Sequence, residues 1–325
     1  MSALLSVRDL EIRFVARERT VHAVNGVNFD LAPGEVLGIL GESGSGKSVT
    51  LRAILGLLPP RRTRYAGSIA FEGQELIGLP DAAFSDLRGK RIAMIFQEPA
   101  TSFDPVYTVG RQITETIMRH EGATETAAFA RARELLELVR IPSPVERLKA
   151  YPHEMSGGMR QRAMIALALA CRPKLLLADE PTTALDATVQ IQVLLLLAQL
   201  QKDLGLGVIF VTHDVGVAIE VSSRLAVMYA GRIVETGPLA DVVRRPVHPY
   251  TQGLLASTVH GSMRGRRLDA IPGTPPSLAR APVGCSFQPR CRHALTGCDR
   301  DAPPEFAFGA GRMVRCVLGP DRVAA

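Results

Sequence analysis

A glycine-rich segment at residues 41–48, GESGSGKS, constrains this sequence more than any other feature, because it matches the pattern G-x-x-x-x-G-K-[ST]. An apolar run, 36–40, reads as a buried strand before it, and a helical pattern, 49–58, follows it. In this arrangement the glycines let backbone N–H groups converge on phosphate, and the helix adds its N-terminal dipole. Lys47 is then placed to contact the β- and γ-phosphates of a nucleotide, and Ser48 to bind Mg²⁺. The candidate nucleotide-contacting residues of this segment are Gly41, Ser43, Gly44, Ser45, Gly46, Lys47, Ser48 and Thr50.

Short apolar runs continue to alternate with helical patterns along the chain, which predicts an α/β fold. The runs 175–178 and 208–211 read as two further buried strands, and 187–203 has the broad apolar stripe of a helix. The stretch from about residue 108 to 170 lacks strand signals, and we interpret it as a helical insert.

Two carboxylates, Asp179 and Glu180, directly follow the second apolar run. An Asp-Glu pair after a strand is by itself more often the start of a helix. Combined with the glycine-rich loop, it predicts Asp179 as a Mg²⁺-binding residue and Glu180 as the general base for an attacking water.

Residues 155–162, MSGGMRQR, resemble the signature sequence of ATP-binding cassette (ABC) proteins, which usually reads LSGGQ. Here Met stands at both ends, so the likeness rests on Ser156, Gly157, Gly158 and the basic residues after them. Met159 removes the side-chain amide of the usual glutamine, and we expect a modest effect because the backbone amides remain.

Other ABC elements follow in the family's order, and the resemblance covers about residues 5–240. Gln97 resembles the Q-loop glutamine, and His213, after an apolar run, resembles the switch histidine. Residues 183–186, which end in Asp186, resemble the D-loop. Phe14 lies where the family places an aromatic ring under adenine.

The resemblance implies an ATPase with a RecA-like core and a helical subdomain, at about 98–165, within a nucleotide-binding domain of residues 1–240. It implies that Gln97 and His213 contact γ-phosphate, water or Mg²⁺, the last through Gln97. The signature segment would face the γ-phosphate of a nucleotide bound to a second cassette. ATP would hold the two cassettes together head to tail, and hydrolysis would release them and change an attached membrane subunit.

Four segments look like the ATP-binding subunits of dipeptide and oligopeptide importers, at 98–105, 170–174, 228–231 and 248–252. That resemblance implies four partners: a second ABC ATPase subunit, a sister protein rather than a copy, two transmembrane permease subunits, and an extracytoplasmic solute-binding protein. Related importers take glutathione, metal chelates or sugars, so these solutes stay open as alternatives. No apolar run approaches about 20 residues, so no transmembrane helix is expected. The resemblance implies a peripheral protein on the cytoplasmic face of the membrane.

The net charge of +6 lies entirely in residues 241–325, which hold 12 Arg and six acidic residues. A basic surplus suits nucleic acid, and an ABC protein that acts on nucleic acid or ribosomes is the alternative class. No aromatic residues alternate with basic ones as base-stacking sites require, so no nucleic-acid partner is expected.

The same segment, 241–325, reads as a small irregular C-terminal domain that needs a bound cofactor or a cross-link to fold. In the importer family, similar tails carry a [4Fe–4S] cluster, which four thiolates can bind. Zinc, disulfides and free thiols are the alternatives, although zinc favours short C-x₂₋₄-C hairpins that are absent here. A structural role is the simpler prediction for a cluster, with redox sensing as the other. The four candidate ligands are Cys285, Cys291, Cys298 and Cys316.

Arginines flank these cysteines, and we expect Arg290, Arg292 and Arg315 to offset the negative charge of such a cluster. The fifth cysteine, Cys171, lies in an apolar helical pattern and is predicted to be buried packing.

Overall fold

The computed structural model describes residues 3–98, 102–183, 185–257, 271–309 and 311–319. The chain divides into two compact units. The first contains Met1–Leu31, Val36–Ile77 and Val211–Ala325, and the second contains Ala32–Glu35 and Gly78–Phe210. Within the described ranges, no helix is both long and apolar enough to cross a membrane.

The strands, in chain order, are β1 (Leu5–Val15), β2 (Thr20–Leu31), β3 (Val36–Leu40), β4 (Thr63–Phe71), β5 (Gln74–Glu75), β6 (Ile92–Ile95), β7 (Leu175–Asp179), β8 (Gly207–Thr212), β9 (Arg224–Tyr229), β10 (Arg232–Pro238), β11 (Glu305–Phe308) and β12 (Arg312–Arg315). The α-helices are α1 (Lys47–Ile54), α2 (Asp81–Leu87), α3 (Val109–Glu121), α4 (Glu125–Leu138), α5 (Pro144–Lys149), α6 (Gly157–Ala168), α7 (Ala187–Leu204), α8 (Val215–Val221), α9 (Leu239–Arg244) and α10 (Pro249–Ala256).

The first unit holds an antiparallel sheet in the order β2-β1-β4-β5. In β1, Leu5 and Val7 are buried on alternate positions, and register shifts after Val7 interrupt that alternation. Ile12 pairs with Val24 on one side and Tyr65 on the other, so β1 is the central strand of the three long ones. The interrupted period explains why the sequence pattern did not predict this sheet.

The strands that lead to the glycine-rich loop are also in the first unit, in the order β11-β12-β10-β9-β3. All five residues of β3 are buried, and β3 runs parallel to β9. A continuous apolar run is what a parallel strand covered on both faces requires, so the predicted strand 36–40 is confirmed. Because β3 ends at Leu40, the glycine-rich loop begins at the carboxyl end of a rigid strand.

In the second unit, β6 and β7 are parallel neighbours with Ile92 opposite Leu175. Every residue of β7 is buried, which confirms the predicted strand 175–178. Strand β8 lies beside β7, begins in this unit and confirms the predicted strand 208–211. The predicted helix 187–203 is confirmed as α7.

The expected helical insert, about 108–170, is formed by α3 to α6. Side-chain oxygens cap three of these helices. Thr108 accepts from the N–H of Arg111 at the start of α3, Thr124 from that of Ala127 at α4, and Ser156 from that of Met159 at α6. Cys171 is buried as predicted, but it lies in the turn after α6 rather than on the helix.

The C-terminal segment packs within the first unit. Phe287 belongs to the same buried apolar cluster as Leu40 and Tyr229. Two short antiparallel strands, β11 and β12, extend the sheet through β10. This hairpin was not predicted, because strands of four residues carry almost no periodic signal. A buried ion pair between Arg312 Nη2 of β12 and Glu235 Oε1 of β10, at 3.0 Å, also links the hairpin to β10.

Candidate functional site

The glycine-rich loop needs glycine for steric reasons at two positions. Gly46 has φ of +103°, and a Cβ there would lie 2.5 Å from the carbonyl oxygen of Ala23. A Cβ on Gly41 would lie 2.2 Å from the carbonyl oxygen of Met228. The loop therefore passes close to two other backbone segments of the first unit, which leaves no room for a side chain at either position.

Lys47 is the first residue of α1, and its side chain turns back over the loop. Its Nζ donates to the carbonyl oxygens of Gly41 (2.7 Å) and Glu42 (3.0 Å). Helix α1 has no side-chain cap, since Gly46 stands at its N-cap. A helix N-terminus without a side-chain cap, next to a lysine, is suited to bind phosphate. Ser48 is half-buried, and the Thr50 hydroxyl donates to the carbonyl of Gly46 (3.0 Å) inside the helix.

In the second unit the structure brings together Gln97 and Glu180. They follow β6 and β7, whose carboxyl ends lie at the same edge because the strands are parallel. Gln97 Nε2 donates to Glu180 Oε2 (3.3 Å), and Thr183 Oγ1 donates to the same oxygen (3.1 Å). Asp179, the last residue of β7, is buried. The sequence analysis placed Thr183 in the D-loop segment 183–186 but did not predict its contact with Glu180, because a threonine in a loop carries no specific signal.

Glu180 has a backbone φ of +46°, in the left-handed region that non-glycine residues rarely occupy. Such a conformation costs on the order of 1–3 kcal/mol and occurs often at functional sites. The sharp turn it produces lets Asp179 end the strand while the next carboxylate is half-buried rather than enclosed.

The signature segment begins α6. Ser156 accepts a hydrogen bond from the N–H of Met159 (3.3 Å), and Ser156 and Gly157 are exposed. A Cβ on Gly158 would lie 2.6 Å from Val189 Cγ1 on α7, so this glycine is needed for close helix packing. Asp186 caps α7 by accepting from the N–H of the same Val189 (3.0 Å). The D-loop residue Ala184, and residues 99–101 of the segment 98–105, lie outside the described residues.

His213 and Phe14 lie in the first unit. His213 directly follows β8 and is exposed, and Asp214 after it caps α8 by accepting from the N–H of Val217 (3.2 Å). Phe14 is near the end of β1, opposite Val21 of β2, and is half-buried. The stacking of Phe14 under an adenine stays a prediction.

The four C-terminal cysteines line one small cavity together with His248. All are free thiols, and within the described part of the chain no group of three or more His, Cys, Asp or Glu has the arrangement of a metal site. Burial raises the pKa of the Cys285 and Cys291 thiols, and that of Cys316 to about 11. The four sulfur donors therefore share one cavity, and burial disfavours the thiolate form of Cys285, Cys291 and Cys316.

The arginines beside these cysteines make contacts that the sequence did not predict. Arg290 forms a two-point ion pair with Glu42 of the glycine-rich loop, at 2.8 and 3.0 Å. Arg315 pairs with Glu305 at 2.6 Å, and Arg292 donates to His293. The closest partners of Arg290 and Arg315 are thus carboxylates, and the offset of a cluster charge by these arginines stays a prediction. No sequence signal connects residues 248 positions apart.

Two family models match this sequence. One, described as ABC transporter, matches residues 24–183, which include the glycine-rich loop and Glu180. The other, described as oligopeptide/dipeptide transporter, C-terminal region, matches residues 234–298, a range that ends at Cys298.

Several curated proteins are similar over nearly their whole length. The oligopeptide transport ATP-binding protein OppD of Salmonella typhimurium is 49% identical over 315 residues, 97% of this chain and 93% of that protein. OppD of Bacillus subtilis is 50% identical over 324 residues, 99% and 90% of the two chains. The dipeptide transport ATP-binding protein DppD of Bacillus subtilis is 46% identical over 323 residues, 99% and 96%.

Solved structures match as well. The dimeric ATP-binding cassette MJ0796, in a post-hydrolysis state bound to ADP and Pi, has a TM-score of 0.65 and 28% identity, over 72% of this chain and 98% of its own. The protein cbiO1 from Clostridium perfringens, part of the transporter complex cbiONQ, has a TM-score of 0.63 and 26% identity. The match covers 74% of this chain and 91% of cbiO1. These likenesses confirm the predicted α/β fold around the glycine-rich loop.

Proposed function

Because this chain belongs to the ATP-binding subunits of oligopeptide and dipeptide ABC transporters, we propose that it hydrolyses ATP to drive the uptake of peptides. It is an ABC ATPase. The observation that carries the proposal is the Lys47 side chain folded over a glycine-rich loop, in a chain whose relatives are named for peptide transport.

In the first unit we assign phosphate binding to the loop and Lys47, and Mg²⁺ binding to Ser48. Lys47 already donates to two loop carbonyls, so it can exchange these for phosphate oxygens without moving its backbone. Phe14 would stack under the adenine, and His213 would contact the γ-phosphate. Mg²⁺ would supply charge neutralisation of the phosphates.

In the second unit Glu180 acts as the general base for water, and Gln97 orients it. The support is the hydrogen bond between their side chains and the half-buried position of Glu180. Asp179, enclosed at the end of β7, is assigned to Mg²⁺. Ser156, with the exposed N-terminus of α6, is assigned to the nucleotide of a second cassette, and Asp186 to the same interface.

We further assign the chain a place in a complex with a sister ATPase, two transmembrane permease subunits and an extracytoplasmic solute-binding protein. The subunit would sit on the cytoplasmic face of the membrane. Pairing of cassettes is supported by the solved relative, which is dimeric.

For the cysteine cavity we propose a [4Fe–4S] cluster held by Cys285, Cys291, Cys298 and Cys316, with a structural role. Four thiolates are a complete ligand set for such a cluster, and the support is that all four side chains line one cavity. Ligation would require loss of the thiol protons, so binding of the cluster should depend on pH. Protein purified without oxygen should contain iron and absorb light at about 400 nm. Stoichiometric zinc, or no metal at all, would exclude the cluster.

The substrate is tested on the intact complex. We expect its ATPase rate in liposomes to rise when the solute-binding protein is loaded with a short peptide, and mass spectrometry of bound ligand to identify peptides. Stimulation by glutathione, a metal chelate or a sugar instead would replace peptide as the substrate. Stimulation by nucleic acid, with steep salt dependence, would exclude a transport role.

A further inference from the structure

Arg290 uses every N–H donor of its guanidinium group. Nη1 and Nη2 each donate to one carboxylate oxygen of Glu42, at 2.8 and 3.0 Å. Nη1 also donates to Tyr229 Oη (3.2 Å), and Nη2 to the carbonyl of Ile271 (3.4 Å). Nε donates to the carbonyl of Pro272 (2.8 Å). Only 6% of the side chain is exposed, so five fixed partners hold the group in one orientation.

Glu42, the second residue of the glycine-rich loop, is held at three points. Its carboxylate is held by Arg290, and its backbone N–H donates to Tyr250 Oη (2.9 Å). Its backbone carbonyl accepts from Lys47 Nζ (3.0 Å). Tyr250 is fully buried, so the contact on the N–H side is rigid as well. A shift of the Glu42 side chain would therefore move a carbonyl that sets the position of the Lys47 ammonium group.

Arg290 also belongs to the turn that carries two of the cysteines. Its N–H donates to the carbonyl of Phe287, and the N–H of Cys291 donates to that of Gln288. The N–H of Cys285 donates to the carbonyl of Cys298 (2.7 Å). The backbone that surrounds the cysteine cavity and the backbone that carries Arg290 are one hydrogen-bonded structure.

We propose that Arg290 is a positioning residue for ATP binding, which holds the glycine-rich loop through Glu42 and so makes the loop depend on the folded C-terminal segment. The proposal rests on the assignment of the loop to ATP. In this role Arg290 does not touch the nucleotide; it positions the loop carbonyl that Lys47 contacts. A bidentate arginine–carboxylate pair is suited to this task because it fixes geometry as well as charge.

The test uses the full-length chain and titration with the non-hydrolysable analogue AMP-PNP and Mg²⁺. We expect Arg290→Met and Glu42→Gln each to raise the Kd about tenfold, the effect of losing one charge-assisted hydrogen-bonded pair. The double variant should be no weaker than the weaker single variant, since both changes remove the same interaction. Arg290→Lys keeps the charge without the planar fork and should recover only part of the affinity.

The matched control is Arg315→Met. It removes an ion pair of similar length, to Glu305, in the same C-terminal segment but with no contact to the loop. Its Kd should equal that of the unaltered chain. In the assembled complex, Arg290→Met should raise the KM for ATP and leave kcat unchanged, because the groups that activate water are untouched.

A purely structural Arg290 predicts a different result: a lower melting temperature, an unchanged Kd for the folded protein, and a Glu42→Gln variant that binds normally. That result, or a double variant about a hundredfold weaker than the unaltered chain, would overturn the proposal. If Arg290→Met does not fold, Glu42→Gln decides alone, since it leaves the C-terminal segment intact. Failure of the unaltered chain to bind AMP-PNP would instead overturn the ATP assignment, and this proposal with it.

Discussion

The side-chain amide of Gln97 donates a hydrogen bond to the carboxylate of Glu180 across 3.3 Å, although the two residues are 83 positions apart in the chain. The parallel pairing of β6 and β7 makes this contact, since it places the two strand ends at one edge. The amide fixes one carboxylate oxygen, and Thr183 donates to the same atom. Glu180 is thus oriented by two neighbouring side chains, as its proposed role of general base requires.

Removing the amide should slow hydrolysis more than it weakens ATP binding. For Gln97→Ala we expect kcat to fall about tenfold, the effect of losing one hydrogen bond to a charged group. Gln97→Glu should be slower still, because it places a second carboxylate beside Glu180. Steady-state ATPase assays of the complex measure both. Gln199→Ala is the control, since Gln199 lies at an exposed position of α7 and donates to Asp203; an equal loss there would exclude a specific role for Gln97.

Two glycines of the loop, Gly46 and Gly44, should differ sharply in how much stability a substitution by alanine costs. Gly46→Ala forces a Cβ against a backbone oxygen at a φ of +103°, and should lower the free energy of unfolding by at least about 2 kcal/mol. Gly44→Ala is the matched control, with a φ of +78° and open space around the Cβ, and should cost about 1 kcal/mol. Urea unfolding measures both, and equal losses would mean that the steric contacts at Gly46 relax freely.

Stability should fall in mild acid because of His248. Burial lowers the pKa of this histidine to about 3, and its Nδ1 accepts the N–H of Tyr250 (3.0 Å). Below a pH of about 6.5 the unfolded chain binds a proton that the folded chain does not, so stability is lost as pH falls toward 3. The loss from this group should reach about 2 kcal/mol at pH 5.

Urea unfolding between pH 7 and pH 5 tests the effect of His248. His248→Gln should flatten the pH dependence, whatever its effect on stability at pH 7. The same substitution at exposed His153 should leave the slope as it is. An unaltered slope in the His248 variant would show that other groups cause the acid sensitivity.

The sequence pattern predicted the strands and helices that can be recognised from neighbouring residues alone. The fully buried strands β3 and β7 read as unbroken apolar runs, and α7 as an apolar stripe ending near Gly205. The glycine-rich loop was recognisable because its spacing is fixed by the chemistry of phosphate binding.

The rest depends on partners far along the chain. Strand β1 pairs with β4 about fifty residues later and contains register shifts, so its alternation is broken. Arg290 was predicted to serve the cysteines, yet its carboxylate partner is Glu42 in the loop. An arginine beside a cysteine has no local pattern that tells which distant carboxylate it will meet. Such contacts follow only from the assembled fold.

We propose that Glu180 activates the water that hydrolyses ATP, and the variant Glu180→Gln isolates this role. The substitution keeps the size of the side chain and removes the base, so Kd for ATP should stay within about twofold while kcat falls at least about a hundredfold. Glu137→Gln, at an exposed position of α4, is the control and should hydrolyse ATP normally. Measured in the assembled transporter, tight ATP binding without turnover is the predicted result. Turnover at the unaltered rate would exclude Glu180 as the general base.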